Sequence, residues 1–387
     1  MNLENSYQIC SRCVMDTSDP QISFNIKGYC NHCETALQML EYFSDIRLNK
    51  SKTVTDIVNE IKLHPGKEGF HAIIGVSGGV DSSYLVHLLS KENIKLLAVH
   101  VDAGWNSIEA VKNINTMVST LDIDLETIVI DWEDMKALQV AYLKSGVINQ
   151  DVPQDHAFFS SLYKLARKFD IKYVISGSNY ATESILPQSW GQNAMDGKQL
   201  LNIYKKFGIG KLKRYPVTLL RDIYLHIYAL RNYRVVAPLN YIDYSKDAAM
   251  QLLKREYDWR DYGGKHKESR FTDYFQEIYL PDRFSIQKKR AHLSSLVVNG
   301  ELTREHALGI LSSSKLEGLD HSNLKQFVAT KLGISVEELN KLANLPFVDD
   351  RKFKNEAYLD IVISRLVKIR NIVRYLFSHK GLKTQNG

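Results

Sequence analysis

Phe70-His-Ala-Ile-Ile-Gly-Val-Ser77-Gly78-Gly79-Val80-Asp81-Ser82-Ser83 is the stretch that decides the fold. An apolar, β-branched run ending at Val76 stops at Ser77-Gly78-Gly79, and Tyr84, Leu85, Val86, Leu88 and Leu89 then return at helical spacing. The pattern predicts a strand, a tight loop and a helix. Gly78 and Gly79 can take backbone angles closed to other residues and let the main chain approach a ligand, while the loop N–H groups and the helix N-terminus converge on one spot. Such a spot binds phosphate.

Outward from the loop the chain alternates. Strand 71–76 and helix 80–91 are followed by strand 95–101, helix 107–120, strand 125–130, helices 132–145 and 154–169, and strand 172–176. Nearly all-apolar strands alternating with helices predict an α/β fold, a doubly wound parallel sheet covered on both faces, with ligands at the carboxyl ends of the strands. Residues 35–63 read as helical with a break near Asn49-Lys50-Ser51. Residues 185–240 lose the alternation and read as an insertion covering the nucleotide end of the sheet. From 243 onward the periodicity is helical, near 247–257, 284–297, 303–312, 322–331, 335–343 and 356–377.

Cys10, Cys13, Cys30 and Cys33 are the only cysteines, spaced Cys-x2-Cys, sixteen residues, Cys-x2-Cys. This is zinc-ribbon spacing, in which two turns each present two thiolates; a pair of disulfides is the alternative, and nothing points to an oxidising compartment. His32, inside the second turn, reads as a surface residue. With all four thiols on structural Zn2+, none remains for carrying sulfur, and a cysteine-nucleophile glutaminase is not expected where position 2 is Asn2. A reaction that consumes ammonia would then draw it from another protein.

The 387 residues allow two or three domains, expected as 1–45 (ribbon and following helix), 46–242 (nucleotide domain) and 243–387 (helical C-terminal domain). The formal net charge of +6 is spread along the chain, so a nucleic-acid partner is not expected. No apolar run is long enough to span a bilayer, so no membrane partner is expected and the cytoplasm is the expected location.

Ser77-Gly-Gly-Val-Asp-Ser82 resembles the Ser-Gly-Gly-x-Asp-Ser signature of the PP-loop ATP pyrophosphatases. The resemblance implies a loop that grips the β- and γ-phosphates of ATP while the α-phosphate is attacked, through Ser77, Gly78, Gly79, Asp81 and Ser82. Mg2+ would sit at Asp81, directly or through water. Asp102, ending the second strand, stands where doubly wound folds place a group near ribose and adenine, and reads equally well as a turn-forming Asp. Ser176-Gly177-Ser178-Asn179-Tyr180-Ala-Thr-Glu183 is similar to the superfamily's second conserved element, with Gly177 allowing close approach and Asn179 or Glu183 holding phosphate or magnesium. Asn179 also reads as a helix cap. Between Trp259 and Arg270, two glycines among basic and aromatic residues read as an anion-binding loop. Lys265 is the candidate for the cation that offsets charge developing on phosphate, Arg270, Lys289 and Arg290 are others, and His266 is a candidate for proton transfer.

The ribbon opening Cys10-Ser-Arg-Cys13-Val-Met-Asp, the Ser77–Ser82 loop, Tyr262-Gly-Gly-Lys-His-Lys-Glu268 and Lys289-Arg-Ala-His-Leu-Ser294 together resemble the N-acetyl sugar amidotransferases of bacterial surface-polysaccharide biosynthesis. The resemblance implies ATP-dependent adenylation of an acetamido oxygen on an N-acetylated sugar or sugar nucleotide, then attack by ammonia to give an acetamidino group, AMP and pyrophosphate. It also implies two partners, a glutaminase subunit and a cyclase-like, ammonia-channelling subunit of the histidine-biosynthesis type. A tRNA-modifying PP-loop enzyme and a non-catalytic nucleotide-binding scaffold are the alternatives.

Overall fold

The computed structural model of the chain describes residues 7–191, 193–230, 232–262, 267–316, 321–363 and 365. Five parallel strands, β1 (Ala72–Gly75), β2 (Leu96–Asp102), β3 (Asp124–Val129), β4 (Tyr173–Ile175) and β5 (Arg234–Val236), lie in the order β3-β2-β1-β4-β5. Alternate residues face opposite sides. Ala72, Ile74, Leu96, Ala98, Tyr173 and Ile175 pack under the helices Val54–Lys62, Val80–Ser90 and Lys246–Tyr257. Ile73, Leu97, Val99 and Val174 pack instead against the helix Val152–Lys168. Apolar residues on both faces are what a doubly covered sheet requires.

The helix Trp132–Ser145 has the predicted bounds because both ends are signalled. Asp131 accepts hydrogen bonds from the Glu133 and Asp134 N–H groups, and Gly146, at φ 72°, supplies the left-handed residue that stops it. The helical stretch over 35–63, with its break expected near Asn49-Lys50-Ser51, is two helices, Asn31–Leu48 and Val54–Lys62, the second opened by a reciprocal cap between Thr53 and Asp56.

Two expectations need correction. The 185–240 region is not only an insertion, because it ends in β5, which pairs with β4 through Ile175 and Val236. The strand is three residues long and largely exposed, so it lacks the apolar run that marks the others. Residues 284–297 do not form one helix: Ser285, at φ 55°, separates Leu280–Phe284 from Lys288–Val298. Upstream, Arg270–Tyr274 continues through a wide π-turn, Phe275–Tyr279, into Leu280–Phe284, a helical run the periodicity did not single out. The expected helix over 356–377 lies mostly outside the described residues. No described helix is long and apolar enough to cross a membrane.

Chain-distant segments lock the N-terminal ribbon in place. The Arg304 guanidinium donates to the Cys10 and Cys13 carbonyls at 2.9–3.1 Å. Arg290, buried, donates to the Val14 carbonyl at 2.6 Å and pairs with Asp16 at 3.1 Å. Ser294 Oγ accepts from the Val14 N–H. The ribbon thus sits on the helices Lys288–Val298 and Arg304–Leu316.

Candidate active site

The order of the sheet reverses at β1: the chain moves outward on one side to β2 and returns to β4 on the other. The crevice beyond the carboxyl end of such a strand is where doubly wound folds bind ligands. The Ser77–Ser82 loop occupies it. Gly78, at φ +81°, takes a conformation that other L-residues rarely adopt, and a Cβ there would stand 2.4 Å from the Ala110 carbonyl oxygen. The Gly78 carbonyl accepts from Trp259 Nε1 at 3.0 Å and from Asn113 Nδ2 at 3.4 Å. Asn113 also exchanges hydrogen bonds with the Arg260 backbone, both at 2.9 Å, which fastens the loop to the segment that follows Trp259. Ser77 Oγ accepts from the Gly79 N–H, and Ser82 Oγ donates to the Gly79 carbonyl.

A cavity of about 1440 Å³ opens over this loop, lined by Ser77, Gly79, Asp81 and Ser82 on one side. Gly177, Asn179 and Glu183 line the same wall from the turn after β4. A Cβ on Gly177 would come 3.6 Å from Asp81 Cβ, so the two turns nearly touch. Asn179 is buried and occupied: its Oδ1 accepts from the Thr182 N–H and hydroxyl, and its Nδ2 donates to the Gly177 carbonyl. It shapes the turn. Tyr244 donates its hydroxyl to Asp81 Oδ1, and Tyr262 places its hydroxyl 3.3 Å from where a Gly79 Cβ would be. Burial pushes both tyrosine hydroxyls well up from their ordinary range, helped at Tyr262 by Glu268 and at both by Asp81. Both therefore remain protonated donors beside the phosphate loop.

The opposite wall is built from parts the motifs do not announce. Asp151, Gln154 and Asp155 come from the start of Val152–Lys168, Ser269 and Thr272 from the start of Arg270–Tyr274, and Lys288 from the start of Lys288–Val298. Gln154 Oε1 accepts from Ser269 Oγ at 2.7 Å, and Asp151 Oδ1 accepts from Gln154 Nε2 at 3.1 Å and Thr272 Oγ1 at 3.2 Å. Burial, reinforced by Asp155 and opposed by Lys288, pushes the Asp151 carboxyl up to about 8. Acidic residues in a first helical turn are ordinary dipole partners, so nothing in Asp151-Val-Pro-Gln-Asp155 distinguished them in the sequence. Lys288 adjoins Lys289 and Arg290, and nothing in the sequence sets it apart from them.

Four other candidates lie apart from this cavity's lining. Asp102 Oδ1 accepts from the Gly104 N–H at 2.8 Å and Asn106 Nδ2 at 3.1 Å, which is the turn-forming alternative. Arg270 is exposed and stacks over the Phe327 ring, its N–H donating to the Trp105 carbonyl. Arg290 is committed to the ribbon, and Lys289 is exposed beside it. Lys265 and His266 lie outside the described residues. The segment after them crosses the strand ends: Ser107 N–H donates to the Glu268 carbonyl at 2.7 Å, and Asn106 bridges Ser269.

The four cysteines converge, all buried, with their Sγ atoms within 4.8 Å of one another and separations of 3.8 Å (Cys10 to Cys33) and 3.6 Å (Cys13 to Cys30). A zinc–sulfur bond of about 2.3 Å gives a tetrahedral edge near 3.8 Å, so the donor set fits Zn2+. Backbone N–H groups of Cys13, Met15, Cys30 and Cys33 point at the sulfurs at 3.2–3.5 Å, as they would to stabilise thiolates. His32 is instead paired with buried Asp19 at 2.5 Å.

Residues 71–158 match the phosphoadenosine phosphosulfate reductase domain, and residues 268–368 match the C-terminal domain described as LPS biosynthesis protein WbpG-like. The two matches fit the PP-loop ATP pyrophosphatase superfamily. The Ser77–Ser82 loop lies in the first matched region, and the WbpG-like region supplies Ser269, Thr272 and Lys288 to the other wall of the same cavity, with Glu268 beside Tyr262 near the loop. No curated protein matches the chain. Among solved structures, an NMN synthetase from Francisella tularensis is 16% identical, with 63% of this chain and 92% of that chain covered and a TM-score of 0.26. An NH3-dependent NAD synthetase from Campylobacter jejuni, in complex with nitrate ion, is 12% identical, with 82% and 99% covered and a TM-score of 0.32.

Proposed function

We propose that the protein is an ATP-dependent amidotransferase that converts the acetamido group of an N-acetylated sugar or sugar nucleotide into an acetamidino group, for bacterial surface-polysaccharide biosynthesis. The observation that carries this reading is the shared cavity, one wall formed by the Ser77–Ser82 loop and the other including residues of the WbpG-like region. The volume of about 1440 Å³ accommodates a nucleotide and a sugar together.

An amide carbon is a poor electrophile, so its oxygen is activated first. The acetamido oxygen attacks the α-phosphorus, the bond to the bridging oxygen breaks, and pyrophosphate remains against the Gly78 and Gly79 backbone. Protonated Tyr262 and Tyr244 border the loop as donors and as walls that keep water out. Magnesium, when bound, would offset phosphate charge, and Asp81 and Glu183, the carboxylates on the two turns, would hold it. Ammonia then attacks the activated carbon and AMP leaves. All four cysteines are gathered in the ribbon, so no thiol faces the cavity, and the nitrogen comes from a glutaminase partner through a cyclase-like, ammonia-channelling partner. The ribbon's part is structural.

Purified protein given ATP, magnesium, ammonium chloride and a panel of N-acetylated sugars is expected to form AMP and pyrophosphate only with its acceptor, and a product about one mass unit lighter, as NH replaces O. ADP and phosphate as products would overturn the reading.

A further inference from the structure

We propose that Asp151 is the receiving site for the nitrogen nucleophile, binding ammonium in the cavity wall opposite the PP-loop and taking its proton. The inference rests on the reading above for the identity of the reaction, but on the cavity wall for the site. Asp151 is 6% exposed, yet it lines the cavity. Its Oδ1 is satisfied by Gln154 and Thr272, whereas its Oδ2 has no hydrogen-bond or ion-pair partner among the described residues. Asp155, one helical turn on in the same wall, adds a second negative charge, and Lys288 faces the pair without forming an ion pair with Asp151. A half-satisfied buried carboxylate is costly unless a cation or a proton occupies the open oxygen. Where no cation does so a proton does, which is the sense of the upward shift to about 8. A neutral sugar hydroxyl would leave the excess charge unbalanced. Ammonium is small, cationic and able to donate to Oδ2, and it must lose a proton before it can attack.

The balance closes on this chain's own groups. One proton passes from ammonium to Asp151 Oδ2. The nitrogen lone pair forms the C–N bond at the activated carbon, and the C–O bond to adenylate breaks with its electron pair on the phosphate oxygen. A second proton leaves with AMP, and two remain on the amidinium product.

The test has two arms on the intact, zinc-loaded chain. In the binding arm, thermal unfolding at pH 8.5 is compared in ammonium chloride and in sodium chloride of equal ionic strength. Ammonium should raise the midpoint of the wild type and of Asp151→Glu, and leave that of Asp151→Asn unmoved. An equal ammonium effect in Asp151→Asn, or none in the wild type, overturns the site whatever the enzyme turns over. In the kinetic arm, Asp151→Asn should raise the KM for ammonium more than about 30-fold while the KM for ATP moves less than about threefold. Parallel loss of both would mark a merely structural residue and overturn the proposal. If Asp151→Asn does not fold by circular dichroism, Asp155→Asn replaces it and must weaken the ammonium effect; an unchanged effect overturns the site. A wild type that binds ammonium but forms no AMP with any N-acetylated sugar would defeat the proposed function while leaving this site standing.

Discussion

The two walls of the cavity are made in opposite ways. The PP-loop wall depends on close approach of glycine backbone: Gly78, between the lining residues Ser77 and Gly79, sits at φ +81° against the Ala110 carbonyl, and Gly177 lies against Asp81. The facing wall is all side chain, drawn from three helix starts: Asp151 and Gln154 are tied by hydrogen bonds to Ser269 and Thr272, more than a hundred residues away in sequence, and Lys288 stands beside them. A backbone wall recognises what every nucleotide has, phosphate. A side-chain wall can specify one acceptor and one nucleophile.

The sharpest way to break the contrast is to force the glycine loop out of its conformation. Gly78→Ala places a Cβ 2.4 Å from a carbonyl oxygen at a φ that costs about 1–2 kcal/mol for an L-residue. AMP formation should fall at least about 100-fold, a loss of about 2.7 kcal/mol in transition-state binding, while the chain still folds by circular dichroism. Retained activity would show that the loop does not grip the nucleotide in this conformation.

The support of the side-chain wall should fail differently. Arg290 holds Asp16 and the Val14 carbonyl from the helix whose first residue, Lys288, reaches the cavity. Arg290→Ala strands a buried carboxylate and should cost about 3–5 kcal/mol, read as a lower urea midpoint. A change below about 1 kcal/mol would mean the ribbon is not anchored there.

Asp151 gives a pH-dependent comparison. Its folded pKa, about 8, lies above the ordinary carboxylate range, so the folded chain keeps a proton that the unfolded chain releases near pH 4. The stability from this group is complete below about pH 4 and is lost as pH rises toward about 8, by up to about 1.4 kcal/mol per pH unit. Asp151→Asn removes that loss, so its advantage over the wild type in urea should widen across the window. A constant difference would mean that the carboxyl titrates normally. The smallest effect is expected at Gly177→Ala, whose Cβ meets Asp81 Cβ and Ser82 N at ordinary contact distances of 3.6 and 3.7 Å. Stability should move by less than about 0.5 kcal/mol, and the KM for ATP should rise as the added methyl narrows the cavity beside Asp81.

What the sequence made legible follows the same division. The strand, glycine loop and helix at 70–90, the four alternating strands and the cysteine quartet were readable because each rests on local periodicity or on residues that only one geometry tolerates. β5 was not, since three half-exposed residues at a sheet edge carry no pattern. Nor was the facing wall: Asp151 and Thr272 become neighbours only when Val152–Lys168 and Arg270–Tyr274 converge on the strand ends. Within the Lys289–Ser294 motif the sequence does not tell the two directions apart: Arg290 and Ser294 face the ribbon, while His292 lines the cavity.

The claim that both walls serve one reaction is tested most directly by following one atom. Acceptor sugar carrying 18O in its acetamido carbonyl is incubated with the protein, ATP, magnesium and ammonium chloride, and the products are weighed by mass spectrometry. The account predicts that the label moves into the phosphate of AMP while pyrophosphate stays unlabelled. Label in inorganic phosphate, or label retained on the sugar while AMP accumulates, would contradict it.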